Sequence, residues 1–368
     1  MKKLSSGLAA LLMVSAAHGP AQADTVFLGA YPDKIMTFDE DKGEVTQTIP
    51  LKSGLPTHMV MSNDKKKIYV STLTTGGIEV IDIATRKVIN SFSLNTPMTH
   101  YRFSAGVPDP SGRYFYTILT QYDKGIDRYN YSKPKYAVID LKQQKIVRMQ
   151  EVGEDDTPAS GLWGVDFEMS PDGKWLYLFH KKVVIVDTKT LKSTKTFDIS
   201  KPEGMGLENG QFGGGFGGRS HLEMPAGEYV SLFTASDPYI HNKIFGIGRF
   251  DLNKRELTFT PVAAAPDSMP GFQVTPDGKD GYAVVTTGKL GNKRCEFWHF
   301  DMAAAKLVDK AEFQCRSRFY FSLSGNGEKL YIYGAGHEIE AYDAKTLHYD
   351  KTWELHHDTT MAGILFVK

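Results

Sequence analysis

The sequence predicts an all-β chain that folds as a seven-bladed β-propeller, and three observations support this fold class. A hydrophobic residue followed by an Asp that opens a turn between two β-rich segments occurs seven times, at intervals of 42 to 64 residues. A second kind of turn, built around Pro-Asp-Gly or a related sequence, alternates with the first and precedes an aromatic strand. The chain also contains 12% aromatic residues and 35 glycines, which favours many strands joined by turns.

The hydrophobe-Asp pairs mark one turn of each repeat. An Asp side chain bonds to backbone groups just ahead of it, and this initiates a turn. The seven pairs stand at residues 38–39, 81–82, 139–140, 186–187, 250–251, 300–301 and 342–343.

The Pro-Asp-Gly turns mark the other turn, because Pro fixes φ and Gly supplies a positive φ. They occur in segments 62–69, 110–116, 170–177, 275–282 and 324–331, with a weaker copy at 224–229. Each unit therefore contains four antiparallel strands, which is the pattern of a propeller blade.

Six whole blades are predicted at 56–94, 99–152, 163–199, 219–262, 270–313 and 317–355. Residues 25–51 supply three more strands, and the tail 361–367 supplies a single apolar strand. Pairing of this C-terminal strand with the N-terminal strands completes a seventh blade and closes the ring, which removes exposed sheet edges. No linker interrupts the pattern, so residues 24–368 are predicted to form a single domain.

Residues 1–23 are predicted to be a cleaved secretory signal. Lys2 and Lys3 precede an apolar run at 8–14, and residues 21–23 form a small-x-small cleavage site. The alternative, a membrane anchor, needs about 20 apolar residues, and this run is shorter. The pattern is typical of bacterial export and predicts the periplasm. No later segment is long and apolar enough to span a bilayer.

The two cysteines are predicted to form a disulfide. A hairpin folded about residue 305 places Cys295 opposite Cys315, within bonding reach. The bond would stabilise the fold by roughly 3 kcal/mol in the chain-entropy model. The alternative is two buried free thiols. Two cysteines cannot form a four-cysteine zinc site, and the chain has no C-x-x-C-H haem attachment sequence.

Charge and topology indicate where a function would lie. The chain has 43 basic and 43 acidic residues, which argues against nucleic acid as a partner. In an antiparallel blade, the start of the inner strand and the connection between the second and third strands share one end. That end is irregular in this sequence, and irregular loops carry most binding functions.

Three of these connections are long: 121–131, 235–243 and 286–293. The first is rich in Tyr and in charges of both signs, and Tyr and Arg are favoured at protein contacts. The alternative is a solvated loop packed on its own blade. The candidate partner-binding residues are Tyr122, Asp123, Asp127, Arg128, Tyr129, Tyr131, Tyr239 and His241.

The starts of the inner strands are predicted to line the rim of the central channel. The predicted rim residues are His58, His100, Trp163, Asp166, Arg219, His221, Arg318 and Tyr320. A metal site is the weaker interpretation of the three histidines, because they come from different blades. No metal ligand set and no catalytic set is predicted. The segment 211–218 is glycine-rich without the strand–loop–helix setting of a phosphate site, and it is predicted to pass close to a neighbouring segment, with a docking loop as the alternative.

Several segments resemble the β subunit of quinohemoprotein amine dehydrogenases, and more broadly YVTN-type propellers. They are 31–39, Val45, Ile49, 319–322, 330–334, 340–347 and 361–367. The resemblance implies a periplasmic, non-catalytic subunit that holds no cofactor itself. Its partners would be a small subunit carrying cysteine tryptophylquinone and a subunit carrying two c-type haems. The complex would oxidise primary amines to aldehydes, and this chain would help to enclose the active site. The alternatives are a stand-alone YVTN-type binding propeller and an independent hydrolase with a channel metal.

Overall fold

The computed structural model describes residues 25–157, 165–202, 204, 206–213, 227–334 and 336–367. Over these residues the chain forms seven antiparallel sheets arranged as the blades of a β-propeller, as predicted. The predicted signal, Trp163, Arg219 and His221 lie outside the described residues. Among the described residues, no helix has the length and apolar character needed to cross a membrane.

The seventh blade joins the two ends of the chain. Its strands, from the inside outward, are β29 (Thr359–Val367), β1 (Thr25–Ala30), β2 (Lys34–Asp39) and β3 (Glu44–Pro50). The two ends pair antiparallel, with Thr25 opposite Val367 and Leu28 opposite Ile364. The predicted closure of the ring is therefore confirmed, and we call this sheet blade 7.

Blades 1 to 3 follow in chain order, each from the inner strand outward. Blade 1 consists of β4 (Pro56–Met61), β5 (Lys67–Thr72), β6 (Gly77–Asp82) and β7 (Lys87–Ser93). Blade 2 consists of β8 (Thr99–Pro108), β9 (Tyr114–Lys124), β11 (Lys135–Asp140) and β12 (Lys145–Glu151), with a short additional strand, β10 (Tyr129–Tyr131). Blade 3 consists of β13 (Asp166–Met169), β14 (Trp175–Phe179), β15 (Lys182–Asp187) and β16 (Ser193–Asp198).

Blades 4 to 6 have the same order of strands. Blade 4 consists of β17 (Glu208–Phe212), β18 (Glu228–Ser236), β19 (Lys243–Asp251) and β20 (Glu256–Ala264). Blade 5 consists of β21 (Ser268–Val274), β22 (Asp280–Thr287), β23 (Arg294–Asp301) and β24 (Lys306–Phe313). Blade 6 consists of β25 (Tyr320–Leu323), β26 (Lys329–Tyr333), β27 (Glu338–Asp343) and β28 (Tyr349–Glu354). Two short 3₁₀ turns occur at Glu154–Asp156 and Leu290–Asn292.

The start of blade 4 differs from the prediction. The sequence predicted that this blade begins at residue 219, whereas its inner strand is β17, which pairs with β18 through Gln211 and Phe212. The glycine-rich segment therefore begins inside a strand. Phe212 is buried against Phe179 of blade 3, so one apolar side chain among glycines is enough to place this strand in the core.

All seven hydrophobe-Asp turns share one geometry. In each, the Asp carboxylate accepts the backbone N–H of the residue three positions later. The residue four positions later has a positive φ in every case. It is Gly43 in blade 7, but Arg86 and Ala305 occupy it in blades 1 and 5. The same turn therefore forms without glycine, because the Asp cap and the flanking strands determine the backbone there.

The core lies between the blades. Seven clusters of buried apolar side chains are present, and each joins two neighbouring blades of the ring. Strand alternation explains this arrangement: Phe27 points toward blade 1, whereas Val26 and Leu28 point toward blade 6. Outer strands such as β12 are mostly exposed. Burial of both faces of the inner strands therefore holds the ring together.

The predicted disulfide is confirmed. Cys295 and Cys315 are bonded, and their Cα atoms lie 5.2 Å apart. The predicted direct opposition of the two residues was wrong, however. The turn places Asp301 opposite Lys306, and a bulge follows between His299 and Phe300, so that Cys295 lies opposite Phe313. Cys315 lies two residues beyond the end of β24, where the chain turns back toward Cys295.

Candidate functional site

The two faces of the ring differ in construction. We call the end that carries the starts of the inner strands and the connections between second and third strands the connection face. The other end, which carries the Asp turns, is the turn face. Connections on the connection face range from the two residues between β14 and β15 to the long segment between β9 and β11. The seven Asp turns all have one geometry.

Exposed apolar side chains are concentrated on the connection face. Among the described residues, nine of the fifteen exposed large hydrophobic side chains lie there, and the other six lie on outer strands. The nine are Tyr31, Leu73, Met98, Ile126, Tyr129, Tyr131, Tyr239, Ile240 and Met361. Seven of these belong to the adjacent blades 7, 1 and 2. Exposed apolar groups gathered on one surface are typical of a binding site.

The longest connection builds a projecting sheet with a hairpin tip, which we call the blade 2 extension: residues 99–102 and 120–131. The sequence predicted a connection at 121–131, but β9 continues to Lys124 and pairs with β8 on one side and β10 on the other. The extension brings six of the predicted partner-binding residues together. They are Tyr122, Asp123, Asp127, Arg128, Tyr129 and Tyr131.

Aromatic side chains share one side of the blade 2 extension. His100 lies opposite Tyr122, which in turn lies opposite Tyr131. The rings of Tyr122 and Tyr131 meet edge to face with centroids 4.9 Å apart, and those of His100 and Tyr129 are 6.4 Å apart. Tyr131 remains 70% exposed. The result is a preformed aromatic surface whose rings hold one another in place.

The acidic groups of the blade 2 extension are already paired. Asp123 accepts hydrogen bonds from Gln121 and from Thr99, and these bonds hold the pKa of its carboxyl below the ordinary value. At the tip, Asp127 and Arg128 form an exposed ion pair at 2.6 Å. The predicted charges of both signs are therefore present, but each carboxylate has its own partner.

The connection of blade 4 presents two apolar side chains on a fixed turn. Asp237 accepts the backbone N–H groups of Tyr239 and Ile240 at 2.8 and 2.9 Å, and these bonds lower the pKa of its carboxyl. Tyr239 is 89% exposed and Ile240 is 68% exposed. His241 bonds through its ring to Glu208 at 3.2 Å. The turn is held by polar bonds while its apolar side chains face outward.

The predicted rim residues that are described lie at or near the starts of inner strands. His58 is in β4, and Arg318 lies two residues before β25 and is exposed. Asp166 accepts a hydrogen bond from Tyr229 of blade 4 at 2.6 Å, so this carboxylate joins two blades. Tyr320 packs against Tyr333, and burial raises the pKa of its phenol. The contacts of Asp166 and Tyr320 therefore stabilise the fold.

Among the described residues, no group of three or more His, Cys, Asp or Glu side chains is placed to hold a metal ion. His356 and His357 lie in the connection before β29. The neighbouring Asp358 lies 3.5 Å from the ring of His337, and both side chains are more than half exposed.

A polar cluster that the sequence did not indicate lies beside the disulfide. The guanidinium of Arg316 donates to Glu340 at 2.6 Å and to Glu338 at 2.7 Å. Its backbone carbonyl accepts a hydrogen bond from Lys293. Together with the adjacent disulfide, these bonds fix the segment that carries Arg318 and Tyr320. Sequence reasoning missed the cluster because its members come from three separate segments: the connection before β23, the link between β24 and β25, and strand β27.

A groove on the turn face was also missed. It has a volume of about 580 Å³ and lies between blades 5 and 6. Tyr282 contributes from blade 5, and the two turns of blade 6 and the strand ends beside them contribute the rest, including Glu328, Lys345, Tyr349 and Asp350. The turn face is therefore less uniform than expected, because side chains of two neighbouring blades together line a space that single turns do not reveal.

A half-buried histidine on the connection face was not predicted either. His180 lies in the short connection between β14 and β15, and its Nδ1 accepts the backbone N–H of Lys182 at 3.3 Å. Burial lowers the pKa of His180 to about 4, and the nearby positive charge of Lys182 contributes. The sequence carries no signal for this, since a lone His between two strands is common.

Comparisons with known proteins identify the fold. No family model matches the chain, and no curated protein matches it in sequence. A functionally unknown protein from Desulfotomaculum acetoxidans aligns with a TM-score of 0.56 at 13% identity, over 94% of this chain and 99% of that one. Apo AztD from Citrobacter koseri aligns with a TM-score of 0.52 at 13% identity, over 94% and 98%.

Dihydro-heme d1 dehydrogenase NirN, solved in complex with DHE, aligns with a TM-score of 0.53 at 12% identity, over 96% of this chain and 77% of that one. In total, 1429 chains of solved structures match, so the architecture is too widespread to select a function. The chain is a seven-bladed propeller. The comparisons do not show the resemblance to quinohemoprotein amine dehydrogenases.

Proposed function

We propose that this chain is a non-catalytic propeller subunit of a periplasmic amine-oxidising complex. In this role the connection face docks a small quinone-bearing subunit and helps to enclose its active site. A further subunit with c-type haems receives the electrons. The observation that carries the proposal is the concentration of exposed large apolar side chains on the connection face.

Two properties of this face support docking of a folded partner. The apolar groups stand on rigid supports: paired strands in the blade 2 extension and a capped turn in blade 4. A rigid surface loses little conformational entropy on binding, so more of the contact energy contributes to affinity. The exposed Tyr side chains add large contact areas with few rotatable bonds.

The test is copurification from the native host at native expression level. Size-exclusion chromatography with absorbance at the haem Soret band would show whether the chain elutes with a haem protein. We expect coelution, together with amine-dependent reduction of an artificial electron acceptor in the same fractions. Elution as a monomer without haem or amine oxidation would refute the proposal.

A matched pair of variants tests which surface docks the partner. Ile240→Asp places a charge on the connection face, and Ile89→Asp places one on an outer strand, where Ile89 is 54% exposed. A charge at the centre of an interface typically costs several kcal/mol because it is desolvated without a partner. We expect Ile240→Asp to release the partner and Ile89→Asp to retain it. The reverse result would indicate that the partner docks on the outer strands instead.

One observation favours a second candidate, a stand-alone binding propeller of the YVTN type. The groove between blades 5 and 6 has a volume in the range of small-molecule sites. It combines a largely exposed Tyr349 with charged side chains of both signs. This function predicts that the isolated chain retains a ligand through purification. Native mass spectrometry of the freshly purified monomer would detect it.

A further inference from the structure

We infer that the blade 2 extension binds an acidic segment of a partner protein. This inference rests on the proposed docking function and specifies the chemistry of the partner. It follows from which side chains share the exposed side of the extension and from the pairing of its acidic groups.

The first step concerns geometry. Residues directly opposite one another in antiparallel strands project to the same side, and so do residues two positions apart in a strand. Tyr122 lies opposite both His100 and Tyr131, and Lys124 lies opposite Tyr129. Arg102 is two positions from His100. One side of the extension therefore carries three tyrosines and three basic residues, namely His100, Arg102 and Lys124.

The second step concerns charge. Lys124 and Arg102 are both exposed. The acidic residue of the same strand, Asp123, projects to the opposite side, where Thr99 and Gln121 bond to its carboxylate. Asp127 at the tip is paired with Arg128. The aromatic side of the extension is thus basic, although the chain as a whole is neutral. Charge complementarity selects a negatively charged partner.

The third step concerns how firmly these groups are held. The backbone N–H of Lys124 donates to the carbonyl of Met98 at 2.8 Å, and Gly125 donates to Arg128 at 2.7 Å. The hairpin is therefore closed up to its tip. A carboxylate of the partner can bond to Lys124 while an apolar neighbour packs on Tyr131. An acidic segment that also contains aromatic or aliphatic residues satisfies both requirements.

The test uses the purified full chain and two fluorescein-labelled synthetic peptides of equal length. One peptide is rich in Glu with interspersed Phe, and the other carries Lys in place of each Glu. Fluorescence anisotropy measures binding to each. We expect the chain to bind the Glu peptide and not the Lys peptide. Raising the salt concentration from about 50 mM to about 300 mM should weaken binding because it screens exposed charges.

Two charge-reversal variants locate the binding site. Lys124→Glu changes the proposed surface, and Lys142→Glu makes the same change at an exposed position on the turn face of the same blade. We expect Lys124→Glu to weaken binding of the Glu peptide about tenfold, since it replaces an attraction with a repulsion. Lys142→Glu should bind as the wild type does. Circular dichroism melts of both variants verify that the fold is intact.

Four outcomes overturn the inference. Three are equal binding of both peptides, an equal loss in both variants, and salt-independent binding. The fourth is a wild-type dimer in sedimentation that Lys124→Glu dissociates, which would make a second copy of the chain the occupant.

The inference and the proposed function fail separately. If the haem-bearing complex copurifies but the Glu peptide does not bind, the proposed function stands and the acidic segment is refuted. If the Glu peptide binds as expected but the native chain is a monomer without amine oxidation, the surface chemistry stands and the amine-oxidising role is refuted.

Discussion

Removal of the disulfide gives a quantitative test of how blade 5 is joined to blade 6. The perturbation is the double variant Cys295→Ser, Cys315→Ser. The bond closes a segment with a sequence separation of 20 residues. In the chain-entropy model, a loop of this size stabilises the fold by about 3 kcal/mol. The entropy of unfolding scales with chain length, so a loss of this size lowers the Tm by about 4 °C in a chain of this length.

The structure indicates that the rest of the segment stays in place. Arg316 follows Cys315 directly and remains bonded to Glu338 and Glu340. Cys295 is buried opposite Phe313, and a serine there fits the same volume. Part of the loss therefore comes from burying a hydroxyl in place of sulfur. We expect the double variant to fold and to keep its far-ultraviolet circular dichroism spectrum.

The assay is differential scanning calorimetry with and without a reducing agent. The wild type should lose stability on reduction, whereas the double variant should not respond. Thiol titration of the unfolded, unreduced wild type should find no free thiol. Two reactive thiols in that titration, or a double variant with the Tm of the wild type, would refute the reasoning.

Two further predictions concern a turn and a half-buried histidine. Gly43→Ala should destabilise the fold by about 2 to 3 kcal/mol, because the residue has a φ of 69° and a Cβ would lie 2.6 Å from the Trp353 ring. The control is Gly278→Ala, since Gly278 has a φ of 72° but open space around it, so this variant should lose only the stability that backbone strain costs. Urea unfolding measures both losses, and equal losses would contradict the steric argument. The pKa of His180 is about 4 in the fold, below its unfolded value of about 6.5, so the unfolded chain binds the proton first as the pH falls. The free energy of unfolding should therefore decrease between pH 6.5 and 4 by about 2 kcal/mol, after allowance for the partial exposure of the ring. His180→Asn should show a flatter pH profile of stability in the same urea experiment. Identical profiles for the variant and the wild type would exclude His180 as the source of the pH dependence.

The ring was predictable from the sequence because its signals are local and repeat. The Asp of each turn acts on backbone groups within four residues of itself, so seven copies could be counted without knowing any long-range contact. Closure was predictable because a strand missing from blade 7 matched an unpaired apolar tail. The disulfide followed from the hairpin that joins its two cysteines, although the turn pairs Asp301 with Lys306 and so lies earlier in the chain than a fold about residue 305 requires.

What could not be predicted depends on contacts between distant segments. The inner strand of blade 4 was placed too late because glycines hid the single buried Phe212. Much of the connection predicted at 121–131 proved to be strand, since it pairs with an earlier strand at residues 99–102. The sequence identified its aromatic residues, but only the strand register shows that they project to the same side. The groove beside Tyr282 is lined by side chains of two blades, which are far apart in the sequence.

The two faces of the ring differ in which side chains are available to bind a ligand or a partner. The hydrogen bonds that stabilise each face explain this difference. On the turn face, carboxylates are committed to local structure: Asp343 accepts the N–H of Thr346, and Asp277 accepts bonds from Thr275 and Lys279. A ligand in the groove must therefore rely on side chains outside these caps, such as Lys345 and Asp350.

On the connection face, strand pairing and capped turns satisfy the backbone, so the side chains at the tips are not needed for the fold. Tyr131, Tyr239 and Ile240 form no part of any buried core cluster among the described residues. Their replacement by polar residues should cost the monomer little stability. Large apolar groups that do not stabilise the isolated chain are typical of a binding surface, and they therefore support the proposed docking role of this face.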